Sequence, residues 1–288
     1  MQKKNISLAL LLAINKRFKL PVHPFNLSND GGMTYAEWQF EKGAQTIDFY
    51  LKNATAGEMF KGKTVLDIGC GAAGKSIYYA SLGARRVVGM DVIERYREEA
   101  TELARRKGYG DRFEFVCADA ASTGFSDGEF DTVIMNDAVE HVARPEAVLR
   151  ECLRLLAPGG RLYLNFPPYF HPYGAHLSDA VAIPWVHVFF PEKTLIEAYK
   201  RLVADLPDGT QRIDLRVSKK TAEGSEYLSF INRMTIRRFK KLLLDLPAEC
   251  AYYGEEPLRG FLRPLARAPV LKEFFVKMVV AVLTPRAL

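Results

Sequence analysis

The part of this 288-residue sequence best suited to chemistry is a glycine turn followed by acids at regular intervals. In Val65-Leu-Asp-Ile-Gly-Cys-Gly-Ala-Ala-Gly74 an apolar run gives way to Gly69, Gly71 and Gly74, a G-x-G-x-x-G pattern that encloses Cys70. Glycine at a strand-to-helix turn tolerates positive φ and lets backbone amides approach a ligand, and the N-terminus of the following helix offers positive potential. Asp91 stands 22 residues beyond Gly69, beside Val92, where a carboxylate can accept from both hydroxyls of a ribose. Taken alone, the pattern suggests a nicotinamide dinucleotide and an NAD(P)-dependent oxidoreductase. Two acids argue for a different ligand. Asp67, two residues before the first glycine, would repel a pyrophosphate but suits an ammonium group, and Asp119, next to Ala120, can accept from an adenine amino group.

A second concentration is histidine: four of the five, His141, His171, His176 and His187, fall within 47 residues. Histidine titrates near neutrality and is suited to take a proton from a reacting group. His176, His187 and His141 are the candidate general bases, in that order. Tyr169, Phe170, Tyr173 and Trp185 lie among them and would wall an aromatic pocket, while Tyr35 and Trp38 could close over a ligand from the N-terminal side. Plain core packing suits each of these rings equally well. The gaps between His171, His176 and His187 do not predict convergent ligands, so no metal is expected. Cys70, Cys117, Cys152 and Cys250 form no CxxC pair, which excludes a zinc ribbon or a disulfide framework and points to reduced thiols in a cytoplasmic protein.

The elements that must position these residues alternate. Short apolar runs over 64–68, 86–91, 113–118, 130–135 and 161–166 read as parallel strands, separated by helical patterns over 75–82, 94–106 and 145–156. Pro158, Gly159 and Gly160 stop the last helix. A helix is expected over 35–51 with a cap near Thr34, and another after Thr235, where Ile236, Phe239, Leu242, Leu243 and Leu246 oppose Arg237, Arg238, Lys240 and Lys241. A terminal hairpin over 249–253 and 274–283 closes one sheet edge. The expectation is an α/β, doubly wound, mostly parallel seven-stranded sheet with an antiparallel C-terminal edge strand and a helical cap. It divides the chain into an N-terminal helical arm over 1–62, a ligand-binding core over 63–166, a recognition insertion over 167–246 and terminal strands over 247–288.

Charge follows the same division. Residues 1–62 carry +3, 63–165 carry −2 and 166–288 carry +5, so the net +6 lies wholly outside the core. That is too mild for a nucleic-acid surface. The apolar run over 6–14 is followed by Lys16, Arg17 and Lys19 where a signal-peptide cleavage site would lie, so a first helix packed on the body is expected. A peripheral-membrane binding module, touching lipid through that run and the basic helix after Thr235, stays open as an alternative.

Together, "VLDIGCG", "VVGMDV", "CADA", "FDTVIMNDAVEHV" and "LAPGGRLYL" resemble the class I S-adenosylmethionine-dependent methyltransferases, in particular their type 11 small-molecule group. The resemblance covers residues 35–166 and, more loosely, the terminal hairpin. It implies a Rossmann-like fold, S-adenosylmethionine as cofactor, and in-line methyl transfer to an O, N or C atom of a small, acidic or lipid-like acceptor. It further implies that Asp67 and the backbone of Gly69, Cys70 and Gly71 serve the methionine end and that Asp91 and Val92 meet the ribose. Asp119 and Ala120 would meet the adenine edge, and Asn136 would line the methyl side. One departure is that the usual third glycine of the loop falls on Ala73, one place before Gly74. Asn165-Phe-Pro-Pro-Tyr169 is similar to the N-P-P-Y loop of nucleic-acid amino methyltransferases, but that loop follows the fourth strand, where this chain has Asn136-Asp137-Ala-Val.

Overall fold

The computed structural model describes residues 6–219 and 224–286. Helices α1 (Ile6–Asn15), α2 (Pro24–Asn29), α3 (Tyr35–Ile47) and α4 (Ala56–Phe60) precede strand β1 (Thr64–Ile68). Then follow α5 (Gly74–Ser81), β2 (Arg86–Asp91), α6 (Tyr96–Arg106), β3 (Phe113–Cys117), β4 (Phe130–Asn136), α7 (Pro145–Arg154) and β5 (Leu156–Phe166). The insertion holds α8 (Val186–Phe189), α9 (Glu192–Val203), α10 (Gly209–Arg216), the hairpin β6 (Val217–Lys219) and β7 (Glu226–Leu228), and α11 (Ile236–Asp245). Strands β8 (Ala248–Pro257) and β9 (Val276–Pro285) end the chain, with short helical turns between them.

The seven-stranded sheet has the order β3-β2-β1-β4-β5-β9-β8. Strands β1 to β5 pair in parallel, β9 enters antiparallel beside β5, and β8 pairs antiparallel with β9 at the outer edge. The pleat sorts side chains to the two faces. Leu66, Val88, Val133, Leu162 and Ala281 join one core with Val148 and Leu149 of α7 and Ile236 and Phe239 of α11. Val65, Val87, Ile134, Tyr163 and Val280 join the other with Tyr79 and Phe60. Burial on both faces explains why these strands read as continuous apolar runs.

Local signals set the element ends. Thr34 caps α3 in a reciprocal box with Glu37, and Thr55 caps α4 with Glu58. Helix α7 ends at Arg154, two residues before the expected stop, because Leu156 already pairs with Phe130 as the first residue of β5. The Ala157-Pro158-Gly159-Gly160 turn becomes an irregularity inside that strand, with Gly159 at φ 78°. Gly74 serves helix packing, since a Cβ there would stand 1.9 Å from the Ala36 carbonyl oxygen of α3.

Helix α1 packs on the body as expected: Leu8 and Leu11 are buried with Leu195, Ile196 and Tyr199 of α9. Asn15 at its end donates to the Ala180 carbonyl at 3.0 Å and accepts from the Ala182 amide at 2.7 Å. Beneath this cluster Asp179, fully buried, bridges Arg212 at 3.1 Å and Arg216 at 3.2 Å and accepts from the Tyr199 hydroxyl. Asn26 of α2 ties the arm to the same group through Arg212 and the Asp179 carbonyl. No helix among the described residues is long and apolar enough to cross a membrane.

Candidate active site

A cleft of about 530 Å³ opens at the carboxyl ends of β1, β2, β3 and β4, the edge where open α/β sheets hold ligands. Gly69 and Gly71 form its floor at φ 71° and 57°. A Cβ on Gly69 would lie 2.7 Å from that of Ala138, and one on Gly71 would lie 3.0 to 3.2 Å from Gln39 and Tyr35, so the turn admits only glycine. Ala73 follows at φ 58°, taking the left-handed position that glycine usually fills. Gln39 of α3 fastens it from behind, donating to the Cys70 carbonyl and accepting from the Gly74 amide.

Asp91, at the end of β2, accepts from the Gly71 amide at 2.8 Å and the Ile93 amide at 3.0 Å. Burial raises its pKa against these bonds. Val92 and Ile93 continue the rim. Asp119 accepts from the Ala121 amide and pairs with Arg144 at 3.6 Å, which leaves its carboxylate exposed at the mouth beside Ala120. Tyr35 covers the glycine loop, its ring packed edge-on to Phe25 and Tyr96, and burial raises its pKa. Asp137 lies beside the glycine loop, and the wall continues over His141, Val142, Leu215, Ser229 and Phe230. Asp137 stands at φ 49° and pairs with Lys75 at 3.4 Å.

Of the residues singled out in the sequence, Gly69, Gly71, Asp91, Val92, Asp119, Ala120, Tyr35 and His141 line this cleft. The others are held elsewhere. Asp67 is buried and accepts from Ser76 Oγ of α5 at 2.6 Å, and desolvation pushes its carboxyl up to about 6. Asn136 points to the second core, where its amide joins Tyr50, Tyr79 and Asn165 in a closed polar network. Cys70 is buried and its thiol pKa raised, and its Sγ lies against the Gly71 carbonyl. Trp38 leans on Tyr35 without reaching the cleft. His187 sits with Tyr169 and Phe170, held down to about 4 by burial. Trp185 donates to the Phe170 carbonyl, and Tyr173 lies by His171, so these rings form a separate aromatic nest.

The histidine that faces the cleft is His141. Its Nδ1 lies 2.7 Å from the Phe230 carbonyl oxygen, which places the proton on Nδ1 and the lone pair on Nε2. His176 packs edge-on against it at 4.6 Å between ring centres, and burial keeps both rings below the usual imidazole pKa. Glu140, 3% exposed, lies between the two, and burial raises its pKa well above the carboxylate range. Sequence reasoning passed over Glu140, although a lone acid next to His141 in an apolar run was a visible signal. Phe25, Leu215 and Phe230 carried no such signal, because only the folding of arm and insertion over the sheet brings them here.

A family profile described as "Methyltransferase domain" matches residues 66–164. The chain is 35% identical over 213 residues to 27-O-demethylrifamycin SV methyltransferase of Amycolatopsis mediterranei, covering 72% of this chain and 78% of that one. It is 34% identical over 102 residues to the chloroplastic tocopherol O-methyltransferase of Arabidopsis thaliana, covering 35% of this chain. The matched region spans about three tenths of the length of that relative (29%). Among solved structures, a putative S-adenosylmethionine-dependent methyltransferase from Listeria monocytogenes shares the fold. Its TM-score is 0.53 at 18% identity, covering 85% of this chain and 99% of that one.

Proposed function

Because the chain belongs to the class I S-adenosylmethionine-dependent methyltransferases, in their type 11 group, we propose that it methylates a hydroxyl oxygen of a small acceptor with a largely apolar body. The observation that carries this reading is the continuity of the cleft, from the glycine loop, Asp91 and Asp119 at one end to His141 and Phe230 at the other. Asp91 takes the ribose hydroxyls and Asp119 with Ala120 the adenine edge. Asp67 and Asn136 support the methionine end from behind the loop, through Ser76 and the Tyr50, Tyr79 and Asn165 network. The sulfonium and ammonium of the cofactor meet a cleft that carries Asp91 and Asp137, whereas two phosphates of a nicotinamide dinucleotide would meet the same acids with like charge.

Methyl transfer is an in-line displacement, so the protein chiefly aligns the reactants and excludes water. A hydroxyl acceptor must also lose its proton, and the cluster of Glu140, His141 and His176 stands at the apolar end where such an acceptor fits. Val142, Leu215 and Phe230 give that end its apolar walls. Relatives whose names state O-methylation of rifamycin and tocopherol skeletons support an acceptor of this kind. The test is calorimetric titration with S-adenosylmethionine and with NADH, then incubation with a panel of hydroxylated apolar compounds and mass spectrometry for one added methyl group. Binding of NADH alone would refute the reading, and methylation confined to amines would refute the choice of oxygen.

A further inference from the structure

We propose that Glu140, His141 and His176 form a binding site for one divalent transition-series cation at the acceptor end of the cleft. The donor atoms of the three residues lie within 4.8 Å of one another. Glu140 Oε1 is 3.8 Å from His141 Nε2 and 3.9 Å from His176 Nε2. Ligand atoms on one such ion, at bonds of about 2.0–2.2 Å, stand roughly 3–3.6 Å apart, so donor atoms now up to 4.8 Å apart close by at most about 1.2–1.8 Å to complete the site.

Two independent features fit this use. Neither carboxylate oxygen of Glu140 finds a hydrogen-bond partner on another residue among the described residues, although the side chain is 4% exposed. An unpaired buried acid is costly, and a cation relieves that cost. Next, the backbone carbonyl of Phe230 holds the proton of His141 on Nδ1 and leaves Nε2 as the ligand, the arrangement that orients histidine in metal sites. Arg216 is near, donating to the His176 carbonyl at 3.1 Å, but Asp179 neutralises it at 3.2 Å.

One carboxylate and two imidazoles without sulfur suit Zn²⁺, Co²⁺ or Mn²⁺. Three protein ligands leave a position open, and of the three residues His141 lines the cleft, the side from which an acceptor would approach. Its use rests on the methyl-transfer reading. A hydroxyl oxygen at the cation gives its proton to water and attacks the methyl carbon as the carbon–sulfur bond breaks. The electron pair stays on sulfur, leaving neutral S-adenosylhomocysteine.

The probe is Co²⁺, titrated into chelator-treated protein and followed by its visible absorption and by calorimetry. The exposed thiols Cys117 and Cys250 are first replaced, Cys117→Ser and Cys250→Ser, because they would compete as soft ligands. One ion per chain is expected, with affinity about 100-fold weaker in His176→Ala and in Glu140→Gln, since a lost ligand costs at least as much as a lost outer partner. Paramagnetic broadening of the His141 and His176 ring signals at one equivalent checks the site without a variant. No binding by the parent protein, broadening elsewhere, or the parent's affinity retained in both variants would overturn the proposal. S-adenosylhomocysteine affinity is measured alongside: its absence strikes the methyl-transfer reading and leaves the cation site standing.

Discussion

Asp67 offers the sharpest test of how the glycine loop is built. Its carboxyl is 3% exposed, has one hydrogen-bond donor in Ser76, and is raised from 3.8 to about 6, chiefly by desolvation. A carboxyl whose folded pKa is raised contributes stability while protonated and loses it as pH rises through the folded value. The shift is about two pH units at about 1.4 kcal/mol each, so ionised Asp67 costs about 3 kcal/mol at pH 7 relative to pH 3.8 and below. Asp67→Asn removes the ionisation and keeps an acceptor for Ser76. Urea unfolding of both proteins from pH 4 to pH 8 should show their stability difference moving by about 3 kcal/mol in favour of the variant, with most of the change between pH 4 and 6. Saturating S-adenosylmethionine should narrow the gap at pH 8, because a cofactor cation near the carboxylate recovers part of the cost. Parallel pH profiles for the two proteins would refute the argument, since they would mean that the carboxylate is solvated or paired in a way this geometry does not provide.

Three other substitutions probe the same architecture. Asp91→Ala should weaken S-adenosylmethionine binding by roughly 1–3 kcal/mol by calorimetry, since it removes a charged acceptor from the cleft and releases the Gly71 and Ile93 amides; unchanged affinity would place the ribose elsewhere. Gly74→Ala should destabilise the fold by about 1–3 kcal/mol or more in urea unfolding, because its methyl would press on backbone atoms of Ala36 and Phe40 at 1.9 and 2.6 Å. Asp179→Ala should cost about 3–5 kcal/mol, because it leaves Arg212 and Arg216, at 2% and 3% side-chain exposure, without their shared counter-charge; a loss under 1 kcal/mol would show that water reaches the cluster.

What the sequence determined by itself was the part of the molecule whose signals are local. Parallel strands buried on both faces must read as apolar runs, the turn after β1 needs glycine at Gly69 and Gly71, and a threonine before a helical pattern marks the cap at Thr34. Asp91 and Asp119 were readable for the same reason: each closes or follows a strand, so spacing along the chain places it at the ligand edge. Only the tertiary structure decided which way the remaining side chains face. Asp67 and Asn136 lie within strands, and whether each turns to the cleft or to a packed face depends on pleat, twist and the helix set against it. Here Ser76 and the Tyr50, Tyr79 and Asn165 network claim them. The histidines follow strand ends, where no periodicity constrains direction. His141 reaches the cleft because Phe230, 89 residues away, holds its ring, while His187 is drawn into the nest of Tyr169 and Phe170. The use of Arg212 and Arg216 likewise shows only in the fold, where both are buried and pair with Asp179.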